Sequence, residues 1–270
     1  MKLYKYFPPE RITFFQDLNL RFTPPAEFND PFELRPVIAS LLREEELYTE
    51  VDSMLKEVLP FSVLSNPAQM AEIKARCFRE APSYIAYANT KGRERIEASF
   101  HKAMSKKIGV LCLTESNKNL LMWSHYGASH KGLCIGFDSA SSFFCRKRSE
   151  ADDLGHLRRV EYDEVRKKNH LSDMEGADFL LRKGKVWGYE EEWRMCALLK
   201  DADKVSEDQT IHLFTVPSSA VLEVILGVNM DEGDRDKVIG DIKTNADLKH
   251  IEIYQAEISK KEFKLHLTKL

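Results

Sequence analysis

Residues 185–199, KVWGYEEEWRMCALL, set Glu190, Glu192 and Arg194 at alternate positions. In an extended chain Glu190, Glu192, Arg194 and Cys196 face one way, and Glu191, Trp193, Met195 and Ala197 the other. Two carboxylates this close raise one carboxyl pKa while a guanidinium lowers it, which gives either a poised acid/base pair or a clamp for ribose hydroxyls. The plainer reading is an exposed strand face satisfied by an arginine. A strand that begins EEE has poor β propensity, and that local conflict favours a site.

A second stretch, LLMWSHYGASHKGLCIGFD (residues 120–138), concentrates Trp123, Ser124, His125, Tyr126 and His130. A helix over residues 119–130 places Leu121, Met122 and Tyr126 on one side and Trp123, Gly127 and His130 on another, with Ser124 and His125 between. Asn117 or Asn119 is its cap and Gly127 or Gly132 its stop. His125 and His130 do not have the i, i+4 spacing of a zinc helix, so no metal site is expected there. Either Trp123 and Tyr126 pack the core, or the segment lines a pocket facing the Glu190/Glu192 strand. A third stretch, FNDPFE, puts Asn29, Asp30 and Glu33 in a turn, where Asx side chains bond their own backbone. Lys5 lies between Tyr4 and Tyr6 on a first strand and projects opposite to both.

Composition narrows the classes. The 270 residues carry a net charge of −3 with acidic and basic residues interspersed, so no global nucleic-acid footprint exists. No apolar run approaches the roughly 18 residues of a membrane helix. MKLYKYFPPE lacks the apolar region of a signal peptide, and a cytoplasmic protein is expected. Cys77, Cys112, Cys134, Cys145 and Cys196 form no CxxC pair and read as free thiols. GxGxxG, P-loop, GxSxG and HExxH motifs are absent.

The elements that must position these residues read as α+β: a mixed, largely antiparallel sheet with an inserted helical subdomain, in a single domain over residues 1–270. Strands are expected at KLYKYF, LRFTPP, IGVLCLTE, GLCIGFD, HLRRVEYDE, WRMCALL, IHLFTVP, LEVILGV and HIEIYQAEI, with a helix at about residues 232–246. The insertion spans about residues 38–107, in three or four helices broken near Pro60, Pro67 and Pro82. MEGADFLLRKGKVWGYEEEW is expected to begin as a helix.

Together LYKYFP, FNDPFE, CLTE…LLMWSHYGASHKGLCIGFD and KVWGYEEEWR resemble a bacterial family catalogued as domain of unknown function 2971, from about residue 3 to residue 200. The order of elements is also similar to that of ADP-ribosyltransferases. In that resemblance Glu190 and Glu192 match an ExE pattern, and Thr114 and Ser116 fall near the middle-strand S-T-S element. Lys5 stands where a first-strand Arg or His is usual, beside Tyr6. The resemblance implies an enzyme using NAD or another nucleotide, in a toxin or phage-defence setting. Glu192 would bind ribose hydroxyls and stabilise an oxocarbenium-like centre, and Glu190 would orient or deprotonate the acceptor. Trp123 or Tyr126 would stack on an aromatic ring, and Arg194 or Lys5 would pair with pyrophosphate. NAD would be the substrate, with no resident cofactor assigned and the acceptor left open between protein and nucleic acid. Two alternatives stand beside this: a metal-dependent hydrolase or nuclease using His125 or His130, and a non-enzymatic ligand-sensing or protein-interaction module.

Overall fold

The computed structural model describes residues 1–41, 44–170 and 178–270. They fall into two compact units. One comprises Met1–Leu34, Met104–Glu164 and Ala177–Leu270, the other Arg35–Ala103 and Val165–Gly176.

The first unit is built on eight strands in one sheet: β1 (Lys2–Phe7), β2 (Ile108–Thr114), β3 (Leu133–Asp138), β4 (Arg158–Arg159), β5 (Glu192–Leu198), β6 (Val221–Leu226), β7 (Glu252–Ile258) and β8 (Leu265–Lys269). Their order is β8-β7-β6-β3-β1-β2-β5-β4. Neighbours run antiparallel except β6 and β7, a parallel pair that needs a crossover, supplied by the helix Glu232–Thr244. The expected mixed, largely antiparallel α+β fold is thus present. Asp231 starts the crossover helix by accepting a hydrogen bond from the Gly233 N–H at 2.8 Å.

Strand alternation separates two sets of core residues. Leu3, Phe7, Leu111, Leu113, Leu133, Ile135, Met195 and Val224 belong to the larger cluster. Tyr4, Tyr6, Cys134 and Ile225, at the intervening positions, pack with Met122 and Trp123. Val110 and Cys196 pack with Leu34 and Leu180. Every strand of the sheet centre is therefore buried on both faces, which is why IGVLCLT and GLCIGFD read as nearly unbroken apolar runs.

The sheet opens along one seam. β1 pairs with β3 over six residues, from Lys2↔Asp138 to Phe7↔Leu133, but meets β2 at a single pairing, Tyr4↔Thr114. Beyond it, Val110 of β2 exchanges both backbone hydrogen bonds with Thr23 instead, each at 2.9 Å. At the other end of β1, Gly132 sits where a Cβ would lie 1.9 Å from the Phe7 carbonyl oxygen. Gly132→Ala is expected to destabilise the fold by about 3 kcal/mol, because backbone rather than a movable side chain opposes the methyl group. A thermal melt checks this, and an unchanged midpoint would refute it.

Several elements depart from expectation. The helix of residues 119–130 is shorter, Leu120–His125, capped by Asn119, whose Oδ1 accepts from Leu121 N–H at 2.9 Å and Met122 N–H at 3.2 Å. Ala128, Ser129 and His130 then all take left-handed backbone, with φ of 48°, 57° and 67°, a conformation no α-helix can include. HLRRVEYDE splits into β4 and the short strand Glu161–Asp163. The expected helical start of MEGADFLLRKGKVWGYEEEW, residues 174–177, lies outside the described residues; the described part forms 3-10 turns at Asp178–Leu181 and Lys185–Glu190 around a strand, Arg182–Gly184, with no α-helix. β8 was not foreseen, since Leu265 is its one buried residue and no apolar alternation marks it.

The second unit holds the helices Glu44–Val58, Phe61–Leu64 and Pro67–Tyr87 and most of Arg93–Ser105. Pro60 and Pro67 bound helices as expected, Pro67 at the first-turn position where its missing N–H is harmless. Pro82 does not break its helix; it lies inside Pro67–Tyr87, which runs on into a π-helical turn at Ala88–Gly92. No described helix is long and apolar enough to cross a membrane.

Candidate functional site

A cavity of about 340 Å³ lies at the seam between β1 and β2. Tyr4, Lys5 and Tyr6 line it from β1, and Val110, Cys112, Leu113 and Thr114 from β2. Phe28, Asn29 and Glu33 enter from the FNDPFE turn, Met122 and Tyr126 from the helix region, and Lys183, Glu190 and Glu192 close the far wall. Lys5 shares its strand parity with Leu3 and Phe7, as expected, yet its Nζ reaches across the seam to the Cys112 carbonyl at 3.1 Å. It thereby satisfies a backbone acceptor that the divergence of the strands leaves without a ladder partner.

The far wall is a buried ionic cluster. Lys183 Nζ stands 2.5 Å from Glu190 Oε2, 3.1 Å from Glu192 Oε2 and 3.4 Å from Glu33 Oε1. Arg194 grips Glu192 in a two-point contact, Nε to Oε1 at 2.8 Å and Nη2 to Oε2 at 2.9 Å, and also pairs with Glu33. Its Nη1 donates to the Leu180 carbonyl at 2.6 Å. None of the five residues is more than 7% exposed. Charges so thoroughly removed from water persist only when paired.

The local backbone explains the convergence. Alternation holds from Glu192 onward: Glu192, Arg194 and Cys196 share a face, while Trp193, Met195 and Ala197 pack on the larger core. It does not extend back to Glu190. Glu190 ends the Lys185–Glu190 turn, and Glu191 has a left-handed φ of 44°. That reversal lets Glu190 approach Lys183 from outside the strand rather than in register with Glu192. The Thr114 hydroxyl fixes the turn by donating to the Glu190 carbonyl at 2.5 Å, and Asn119 Nδ2 donates to the Tyr189 carbonyl at 3.0 Å. The Tyr126 hydroxyl donates to Glu190 Oε1 at 2.8 Å, and the Glu192 N–H donates to the Tyr162 hydroxyl at 2.8 Å.

Electrostatics follow from burial and pairing. Desolvation would pull the Lys183 ammonium down, but the Glu192 and Glu190 carboxylates outweigh it and hold Lys183 above the ordinary lysine value. Burial pushes the Glu192 carboxyl up, against the pull of Lys183. Burial also draws Arg194 down to about 9, which still leaves it charged at neutral pH. Burial lowers Lys5, and raises Tyr126 together with the nearby Glu190 charge.

Of the residues singled out from sequence, Lys5, Tyr6, Asn29, Thr114, Tyr126, Glu190 and Glu192 line the cavity, and Arg194 stands behind Glu192. The others do not line it. Trp123 is fully buried, edge-on to Tyr6 at 5.1 Å, with its Nε1 donating to the Asn117 carbonyl at 3.0 Å. His130 stacks on the Trp123 ring at 5.9 Å, and His125 lies exposed beside Trp187 and Tyr189. The Ser124 hydroxyl donates to the Leu120 carbonyl within its own helix. Asp30 is used by its turn, accepting from the Phe32 N–H at 2.9 Å, and Ser116 accepts the Tyr6 hydroxyl on its carbonyl at 2.9 Å.

Sequence reasoning missed Lys183 as a site residue and gave Glu33 no role. Lys183 sits in RKGK, where one lysine among other basic residues carries no signal. Glu33 lies 150 residues or more from its partners in the chain, so only the fold brings it to Arg194.

Residues 122–195 match a family model described as "Protein of unknown function (DUF2971)". The matched DUF2971 segment contains Tyr126, Lys183, Glu190, Glu192 and Arg194, whereas Lys5 and Glu33 lie before it. No curated protein and no solved structure matches the chain. Among the described residues no cluster of His, Cys, Asp or Glu is arranged to hold a metal ion. Lys183 Nζ takes the position among Glu33, Glu190 and Glu192 that a cation would need.

Proposed function

We propose that the chain is a nucleotide-utilising enzyme of ADP-ribosyltransferase-like type that acts on NAD at the seam cavity. One observation carries the reading: Glu190 and Glu192, the two carboxylates of an ExE pattern, meet at one wall of a cavity whose other walls are aromatic, aliphatic and polar. Its size lies at the lower end of small-ligand sites, which suits a nucleoside-sized group more than a whole dinucleotide. In the reaction the bond between the anomeric carbon and the nicotinamide nitrogen breaks, and its electron pair stays on the ring. Glu192 stabilises the positive charge that develops on the sugar, in a setting dry enough for that charge pair to be strong. An acceptor nucleophile bonds the anomeric carbon and gives its proton to Glu190. A toxin or defence role belongs to this same reading.

The saturation of both carboxylates by Lys183, Arg194 and Tyr126 favours a second reading, a ligand-sensing module that binds without turnover. A thermal-shift titration with NAD, alongside an NAD-consumption assay, tests both. NAD at about a hundred times its Kd adds about 2.7 kcal/mol of stability, and Glu190→Gln/Glu192→Gln is expected to lose that gain. Stabilisation with no consumption under any condition selects the sensing module. No stabilisation of the folded wild-type chain removes NAD from consideration.

A further inference from the structure

The ionic cluster is unbalanced. Glu33, Glu190 and Glu192 face two cations, Lys183 and Arg194, all buried. Glu33 is the least supported of the five: both its oxygens are sequestered from water, Oε1 meets Arg194 and Lys183, and Oε2 has no hydrogen-bond partner among the described residues. Among the described residues of this unit the surrounding groups do not restore the balance: Arg158, opposite Arg194 on β4, is only half-buried and donates to the Asp153 carbonyl. Lys5 from β1 and Asp30, which faces Arg194 from the same turn as Glu33, offset one another. Tyr126 and Tyr162 are neutral hydroxyls, burial keeps Cys112 a thiol, and Glu27 is paired with Arg21.

An unmatched buried negative charge is too costly to persist and must be neutralised, by a proton or by a cation brought from outside. We infer that the cluster by itself holds one proton, and that the cavity selects ligands carrying a fixed positive charge, which take the place of that proton. The inference rests on the cavity being a ligand site, as proposed above. It adds that the recognised feature is the cationic ring, and that Glu33 creates the preference although it lies outside the ExE pattern. Tyr4, Tyr6, Phe28 and Tyr126 line the same space, and Phe28 already carries the Arg194 guanidinium 5.8 Å from its ring centre; rings of this kind suit a flat cation. Cation binding is then coupled to proton release, so affinity rises with pH until the cluster is deprotonated and is level above that point.

Calorimetric titration of the chain in two buffers of different ionisation heat counts the protons. The probes are the N-methylnicotinamide cation against neutral nicotinamide, and NAD+ against NADH, whose nicotinamide ring is uncharged. The cationic member of each pair is expected to bind at least about tenfold tighter at neutral pH and to release about one proton. Its affinity should climb by up to about tenfold per pH unit on the acid side. Glu33→Gln should erase the proton release and bring the two members of each pair within about threefold. Equal binding of cationic and neutral probes by the wild type, without proton release, overturns the inference even if the variant does not fold. NAD+ bound with neither proton release nor preference over NADH overturns this inference and leaves the NAD reading intact. The cation fragment bound with proton release, while NAD+ fails to bind, does the reverse. If no probe binds, both fall.

Discussion

Lys183→Met is expected to lower the thermal midpoint by about 10 °C at pH 7. The substitution keeps an unbranched apolar stem but strips the charge that Glu190, Glu192 and Glu33 share. Removing one partner of a buried ion pair costs about 3–5 kcal/mol, because the stranded charges cannot return to water. For a chain of this length each kcal/mol moves the midpoint by about 2–4 °C. The deficit should also depend on pH, and its sign can be worked out. In the wild type Lys183 is held above its ordinary value, so its contribution is complete below the unfolded lysine pKa of about 10.4 and does not change between pH 5 and 8. In the variant the stranded carboxyls have raised folded values, so their penalty grows as pH rises above about 4. Melts of both proteins from pH 5 to 8 should therefore diverge toward the alkaline end. A constant gap, or none, would show that the cluster is not held together by this lysine.

Glu192→Gln is expected to reduce NAD consumption by about 10²–10³-fold, the usual loss when one preorganised electrostatic contact to the transition state is removed. The neutral side chain keeps the shape and can still accept from Arg194, so the fold should survive. Because one cluster charge is lost, as in Glu33→Gln, NAD affinity should fall by about tenfold, and stabilisation should persist at saturating NAD. That separation between binding and turnover is the informative part. Turnover at the wild-type rate in the folded variant would refute the assigned role of Glu192. Loss of binding together with turnover would place Glu192 in ground-state recognition rather than catalysis.

What could be read in the sequence was what depends on neighbours in the chain. The two-sided burial of β2 and β3 shows as apolar runs because side chains alternate between two cores. The Asn119 cap, the helix at Glu232–Thr244 and the shared face of Glu192, Arg194 and Cys196 are local consequences of residue type and strand period. The same locality limited the reading of Glu190, since a left-handed residue at Glu191 shifts its direction with no glycine to announce it. Three features depend on the tertiary structure alone. The seam between β1 and β2 exists because β2 trades its pairing with β1 for one with Thr23, a choice between distant backbones that no side-chain pattern encodes. Lys183 becomes the centre of the site because a short strand and turn carry it beneath two carboxylates that it precedes by seven and nine residues. Glu33, from the far end of the sequence, supplies the charge that unbalances the cluster, and long-range Coulomb energy in a dry interior becomes visible only when the chain has folded.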